Sequence, residues 1–181
     1  MQSKGNNMSN TTGERTFSTV GRTVKAKTFP LIPPGNHKGT VGSDASIGKA
    51  DKPDAVPYVK VSFEVEGTAA SEGGKNQRVF HMLFLSLTPG KDGDANTDRN
   101  GGIVEMAQAL GTELEGIAVV EQEVTNAEGN TVKLEYLDPK QVVEWVKGFA
   151  GTEVGFRIKT EKGTGGYSDK SKLQKFLTQT E

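Results

Sequence analysis

Residues 58–87 read YVKVSFEVEGTAASEGGKNQRVFHMLFLSL, and the fold follows from how this stretch alternates. From Tyr58 to Val65 the residues Val59, Val61, Phe63 and Val65 are apolar, while Tyr58, Lys60, Ser62 and Glu64 are not. Successive side chains of a strand point to opposite faces, so one face meets a core and the other meets water or a ligand. A Gly/Ser/Ala loop, Gly67 to Asn76, leads to a second strand over Arg78–Leu87. There Val79, His81, Leu83, Leu85 and Leu87 share one face, and Phe80, Met82 and Phe84 share the other. A strand apolar on both faces is central or covered on its second side. Phe80 and Phe84, with Met82 between them, therefore read as core before they read as a stacking platform. The two strands together make a long antiparallel hairpin.

The same alternation returns near the end of the chain, in residues 153–177, EVGFRIKTEKGTGGYSDKSKLQKFL. Val154, Phe156 and Ile158 alternate with Gly155, Arg157 and Lys159. A Gly-rich turn follows (Gly163, Gly165, Gly166), and then Tyr167, Lys170, Lys172 and Lys175. Between the two stretches, Ile103, Met106, Ala107 and Leu110 fall at helical spacing, and Gly111 stops that helix. Val119–Glu123 and Thr131–Tyr136 flank Asn126–Asn130 as a second hairpin. Asp138-Pro139-Lys140-Gln141 opens another helix: Asp138 caps, Pro139 suits the first turn and Gln141 completes a capping box. Val142, Val143, Val146 and Phe149 with Trp145 form its apolar stripe, and Gly151 ends it. A weaker pattern predicts one more strand over Asn36–Ile47. Strands do not alternate regularly with helices, which excludes a parallel sheet. The expected class is mainly β with two short helices (α+β), in a small antiparallel barrel or sandwich of five or six strands.

The chain has 181 residues, 33% of them hydrophobic, with 23 glycines and no cysteine. That length buries one core, surrounded by long loops or an arm. Residues 1–30 are rich in Ser, Thr, Asn, Gly and Lys and read as a flexible polar N-terminal arm. Pro30, Pro33, Pro34 and Gly35 mark the start of the folded body. The absence of cysteine fits a reducing cytosol. No apolar run reaches membrane-spanning length and no apolar signal core opens the chain, so no membrane partner is expected. The formal net charge is −1, but its layout is uneven. Acids dominate from Asp92 to Glu144, whereas Arg15, Arg22, Lys25, Lys27 and Lys38, and the C-terminal Arg157, Lys159, Lys162, Lys170, Lys172 and Lys175, lean basic. A chain neutral on average but polar in layout can still bind an anion on one face, although charge alone favours a solvated surface of mixed signs.

Chemical motifs are few. Gly42–Ala50, GSDASIGKA, resembles a phosphate-binding loop, but five residues separate its glycines and Ala50 stands where a Ser or Thr should hold magnesium. Asp92, Asp94, Asn96 and Asp98 recur as in a calcium loop, yet Thr97 replaces the required Gly and Ile103 the terminal Glu. His37 and His81 are the only histidines, which with no cysteine leaves no structural zinc set. His81 reads as a hydrogen-bonded core residue. No Ser-His-Asp or HExxH arrangement occurs. The expectation is a protein that is not an enzyme and carries no cofactor.

One family carries these features in the same order. Pro34-Gly35 precedes the alternating strand, and Arg78-Val79-Phe80 opens the next. A helix ends on Ala107, Leu110 and Gly111 in an A-x-x-L-G pattern. The chain closes with Gly151 and Val154, then Gly-Tyr-x-Asp-Lys-x-x-Leu-x-x-Phe-Leu over Gly166–Leu177. This resembles a phage family of single-stranded-DNA-binding proteins, formerly a domain of unknown function and found near replication and recombination genes. The resemblance covers residues 31–177, with an insertion near 112–138 and a short tail over 178–181. It implies an oligonucleotide-binding (OB) barrel and a non-sequence-specific single-stranded-DNA-binding role in phage replication or recombination, in the host cytoplasm. The expected contacts are Tyr58, Lys60, Arg78, Phe80, Arg157, Lys159, Tyr167, Lys170, Lys172 and Lys175. Cations track phosphates, and rings stack on bases at roughly 1–3 kcal/mol each. The acidic 113–144 region, with Glu121 and Glu123, is then the surface for a replication or recombination protein, and oligomers remain open. The runner-up is a phage virion structural or assembly protein whose arm docks on a neighbour; a third reading is a small inhibitor that binds a host protein through its acidic face.

Overall fold

The computed structural model describes residues 15–19, 22–26, 30–69, 76–87, 100–164 and 168–178. The chain divides into two units, residues 1–31 and 32–181. In the first, β1 (Arg15–Thr19) and β2 (Arg22–Ala26) pair antiparallel, with Thr19 opposite Arg22. This hairpin falls within the stretch read from the sequence as a flexible polar arm. Its Thr and Val residues are β-branched, which suits a pleated pair, and its apolar spacing is too sparse to show as a pattern.

The second unit is built on six strands: β3 (Gly35–Val41), β4 (Ser46–Gly48), β5 (Tyr58–Ala69), β6 (Asn76–Phe84), β9 (Glu153–Glu161) and β10 (Lys170–Leu177). A separate hairpin joins β7 (Val119–Thr125) to β8 (Thr131–Leu137). The helices are α1 (Gly101–Ala109) and α2 (Pro139–Gly148). The sheet runs β10-β9-β3-β5, with β6 on the far edge of β5 and every pairing antiparallel. The mainly β, two-helix architecture is the one the sequence predicts.

The expected strand over Asn36–Ile47 is interrupted. Val41 pairs with Phe63 and Ser46 with Lys60, so the four residues Gly42–Ala45 face only Val61 and Ser62. The surplus bulges out and splits one strand into β3 and β4. Glycine is required at position 42 because a Cβ there would collide with Ser62 Oγ.

The sheet curls around one apolar interior. Val59, Val61, Phe63 and Val65 of β5, Val79 and Leu83 of β6, Val154, Phe156 and Ile158 of β9, and Leu173 and Phe176 of β10 are all buried. Phe63 stands at the centre, its ring 5.5 Å from those of Phe156 and Phe176. The curl brings the two outermost strands together: His81 of β6 meets Phe176 of β10 edge-on at 5.5 Å. Four antiparallel pairings separate β6 from β10, so they run parallel. No hydrogen-bonded ladder joins them among the described residues, and the sheet is therefore curled but not closed. Helix α1 packs against both strands, with Ile103 and Met106 fully buried.

The β7–β8 hairpin continues from the end of β6. Leu87 N donates to Glu135 O at 2.9 Å and Leu137 N to Leu85 O at 3.0 Å. Its turn is closed by Asn126, whose side-chain oxygen accepts from Glu128 N and Asn130 N at 3.0 and 2.9 Å. At α2, Asp138 caps through Lys140 N at 2.9 Å, with Pro139 in the first turn. Gln141 does not complete a capping box; its side-chain oxygen accepts instead from Ala118 N at 2.7 Å and ties the helix to the approach of β7.

Candidate nucleic-acid interface

The outward side of the sheet carries the expected contacts in two groups. The first lies on β5 and β6, whose register sets Tyr58 opposite Phe84, Lys60 opposite Met82, Ser62 opposite Phe80 and Glu64 opposite Arg78. Phe80 is 49% exposed, Met82 43% and Phe84 47%. These numbers overturn the expectation that Phe80 and Phe84 belong to the core. The second face of β6 is not covered; three large apolar side chains stand in a row toward solvent, about 7 Å apart along the strand. A signal for this lay in the partner strand. A covered face is apolar on both strands, and β5 presents Tyr58, Lys60, Ser62 and Glu64 on that side.

Local packing fixes the row. The Tyr58 ring tilts toward Phe84, centroids 6.3 Å apart, and spreads across β4 over Gly48, where any Cβ would stand 2.5 Å from Tyr58 Cζ. Lys60 Nζ lies 4.5 Å from the centre of the Phe80 ring, an arrangement worth roughly 0.5–1 kcal/mol at an exposed site. A ring, a cation over a ring, a thioether and a further ring thus occupy one open patch. Phe84 and Met82 were missed as contacts by sequence reasoning.

Arg78 is placed at the edge of this patch but is not free to act as a simple cation. It bonds Glu64 at 2.9 Å and Asp44 at 3.5 Å. The Glu64 hydrogen bond, with the charges of both carboxylates, raises its pKa above the ordinary guanidinium value.

The second group lies on β9 and β10. Arg157, Lys159, Lys170 and Lys172 are exposed and Lys175 is half-buried. The register sets Lys159 opposite Lys172 and Arg157 opposite Lys175. Arg157 Nε donates to the side-chain oxygen of the neutral Asn36 at 2.9 Å. Lys170 and Lys172 share Glu161 at 3.0 and 3.1 Å, and these bonds, that of Lys170 first, hold its carboxyl below the usual range. Five cations on these two strands outnumber their two carboxylates, Glu153 and Glu161, and the strip is positive on balance. Beyond it Asp169 accepts from Lys162 at 2.8 Å and from Gly163 N at 3.0 Å. Tyr167, expected to stack a base, lies outside the described residues, as do Asp92, Asp94, Asn96 and Asp98.

The two groups are neighbours across the seam where β6 and β10 approach. His81 and Phe176 touch on the inner side, so Phe80 and Met82 on one strand and Lys175 on the other flank that contact on the outer side. Lys172 lies near enough for its charge to act on His81. His81 itself faces inward. Burial, and then the Lys172 charge, push its pKa down to about 4, so the imidazole is neutral at pH 7. The acidic hairpin is partly offset by Lys133, which bonds Glu121 at 3.0 Å and Glu135 at 3.3 Å. Among the described residues no group of side chains is arranged to hold a metal ion, and no helix is long and apolar enough to cross a membrane. No protein-family model matches the chain, and no curated protein matches it.

Proposed function

We propose that this protein binds single-stranded DNA without sequence preference, on the outer side of β5–β6 and β9–β10, and that it acts in phage DNA replication or recombination. The observation that carries the reading is the exposed row Phe80, Met82 and Phe84 beside Tyr58 and Lys60. Exposed rings bordered by a positive strip suit an unpaired polynucleotide, whose bases offer flat faces and whose phosphates offer charge. A duplex hides its base faces and satisfies only the second half of that surface. Binding involves no bond chemistry, so no catalytic group and no cofactor is needed.

Strand order supports the finer reading of an OB barrel. Taking β3, β5, β6, β9 and β10 as its five strands, the order is first, second, third, fifth, fourth and back to the first, with the third and fifth side by side. That fold is a partly open Greek-key barrel whose second and third strands, with the loops after the first and the fourth, hold oligonucleotides. Here those strands are β5 and β6, and among the described residues those loops contain Asp44, Lys162 and Asp169.

The test is a titration of fluorescent oligo-dT at low and high salt, with duplex DNA as control. Tight binding to the single strand that weakens steeply with salt, and much weaker binding to duplex, is expected. Equal, feeble binding to both overturns the proposal.

A further inference from the structure

Arg78 and its two carboxylates are the feature of this surface that cation-tracking does not explain. Glu64 is its direct cross-strand partner. Asp44 comes from elsewhere, the Gly42–Ala45 bulge, and is held in place from behind. One of its oxygens accepts the Ser62 hydroxyl, and Ser62 is itself 1% exposed. Gly42 N donates to Ser62 O at 2.8 Å, fastening the bulge to β5. A side chain at Gly42 would also stand 2.8 Å from Asp44 Oδ1. The bulge is therefore shaped so that the second Asp44 oxygen reaches Arg78, 3.5 Å away. Two negative charges surround one positive charge, immediately beside Phe80.

Resting on the single-strand reading above, we infer that Asp44 is a specificity-determining residue, occupying Arg78 in place of a phosphate. The Asp44 oxygen left over from Ser62 offers the guanidinium the same kind of charged acceptor as a phosphate oxygen does. A phosphate that reaches this point must displace Asp44 and meet the remaining charge of Glu64. The penalty falls hardest on a ligand that has only phosphates to offer. Duplex DNA is such a ligand, whereas a single strand recovers affinity through the rings of Tyr58, Phe80 and Phe84. Asp44 thus turns a surface of general anion affinity into one that selects unpaired bases.

The experiment compares wild type, Asp44→Asn, Arg78→Gln and the double variant, each titrated with oligo-dT and with duplex across a salt series. Asp44→Asn keeps the size of the side chain and an oxygen for Ser62. It is expected to tighten duplex binding about tenfold and oligo-dT binding about threefold, with salt slopes steeper by about 0.9 and 0.7 as one more phosphate is engaged. In the Arg78→Gln background the gain should vanish. An unchanged single-strand to duplex ratio in Asp44→Asn overturns the inference, as does a gain that persists without Arg78. Should the amide unfold the bulge on thermal melting, Asp44→Ser carries the same expectation. A wild type that fails to bind oligo-dT removes the single-strand reading and this inference with it. A wild type that binds, with Asp44→Asn unchanged, removes the inference alone.

Discussion

Truncating Phe80 separates a ligand platform from a core residue, because the two roles move stability and binding in opposite proportions. Phe80 is half exposed and its ring carries Lys60. Burying a Phe side chain fully is worth about 1.5–3 kcal/mol, so half of that, plus a surface cation–π contact of roughly 0.5–1 kcal/mol, places the folding cost of Phe80→Ala at about 1.3–2.5 kcal/mol. Phe63 is the internal comparison. It is fully buried, between Phe156 and Phe176, and Phe63→Ala should cost about 3–5 kcal/mol. For binding the order reverses. A lost base stack costs roughly 1–3 kcal/mol, which is about a five- to 150-fold weaker complex with oligo-dT. Urea denaturation followed by far-ultraviolet circular dichroism gives the first quantity, and fluorescence anisotropy at fixed salt gives the second. If Phe80→Ala unfolds the protein as readily as Phe63→Ala and the folded fraction still binds normally, the ring is structural and the platform argument is wrong.

Three further outcomes follow from named contacts. Arg157→Gln and Lys159→Gln together should weaken oligo-dT binding uniformly across sequences and flatten the salt slope by about 1.4; an unchanged slope would show that β9 does not face phosphate. Gly48→Ala should push the Tyr58 ring off β4, costing under about 1 kcal/mol of stability because a side chain yields, while oligo-dT affinity drops about threefold; unaltered affinity would remove Tyr58 from the site. His81 should make stability depend on pH. Both states are neutral there above about pH 6.5, and below it the unfolded chain takes up a proton that the folded one refuses until about pH 4. Stability is therefore complete above pH 6.5 and falls by about 3 kcal/mol in total as the pH drops to 4. Melting temperatures of His81→Leu should lack that part of the decline, and identical pH profiles would contradict it.

The elements were legible where periodicity is strong and long. Val59 to Val65 and Val154 to Ile158 announce themselves, and Asp138-Pro139 marks the start of α2. Three things were not. β4 spans three residues, too few to show a period, and its separation from β3 depends on a bulge that only the register reveals. The exposure of Phe80 and Phe84 was misread because an apolar side chain says nothing by itself about which side of a sheet is covered. The capture of Arg78 by Asp44 joins residues 34 apart through a loop packed on Ser62, and no local pattern encodes that. The glycines of the sequence GSDASIGKA, which look like a phosphate loop, are explained by geometry instead: Gly42 makes room for Ser62 and Gly48 for Tyr58.

The most direct test of the central claim is a map of where a single strand touches the protein. Backbone amide shifts recorded by nuclear magnetic resonance during titration with oligo-dT should move most at residues 58–62, 78–84 and 157–159, with residues 119–137 unaffected. Movement confined to the β7–β8 hairpin, or shifts absent from β5 and β6 at saturating oligonucleotide, would contradict the account.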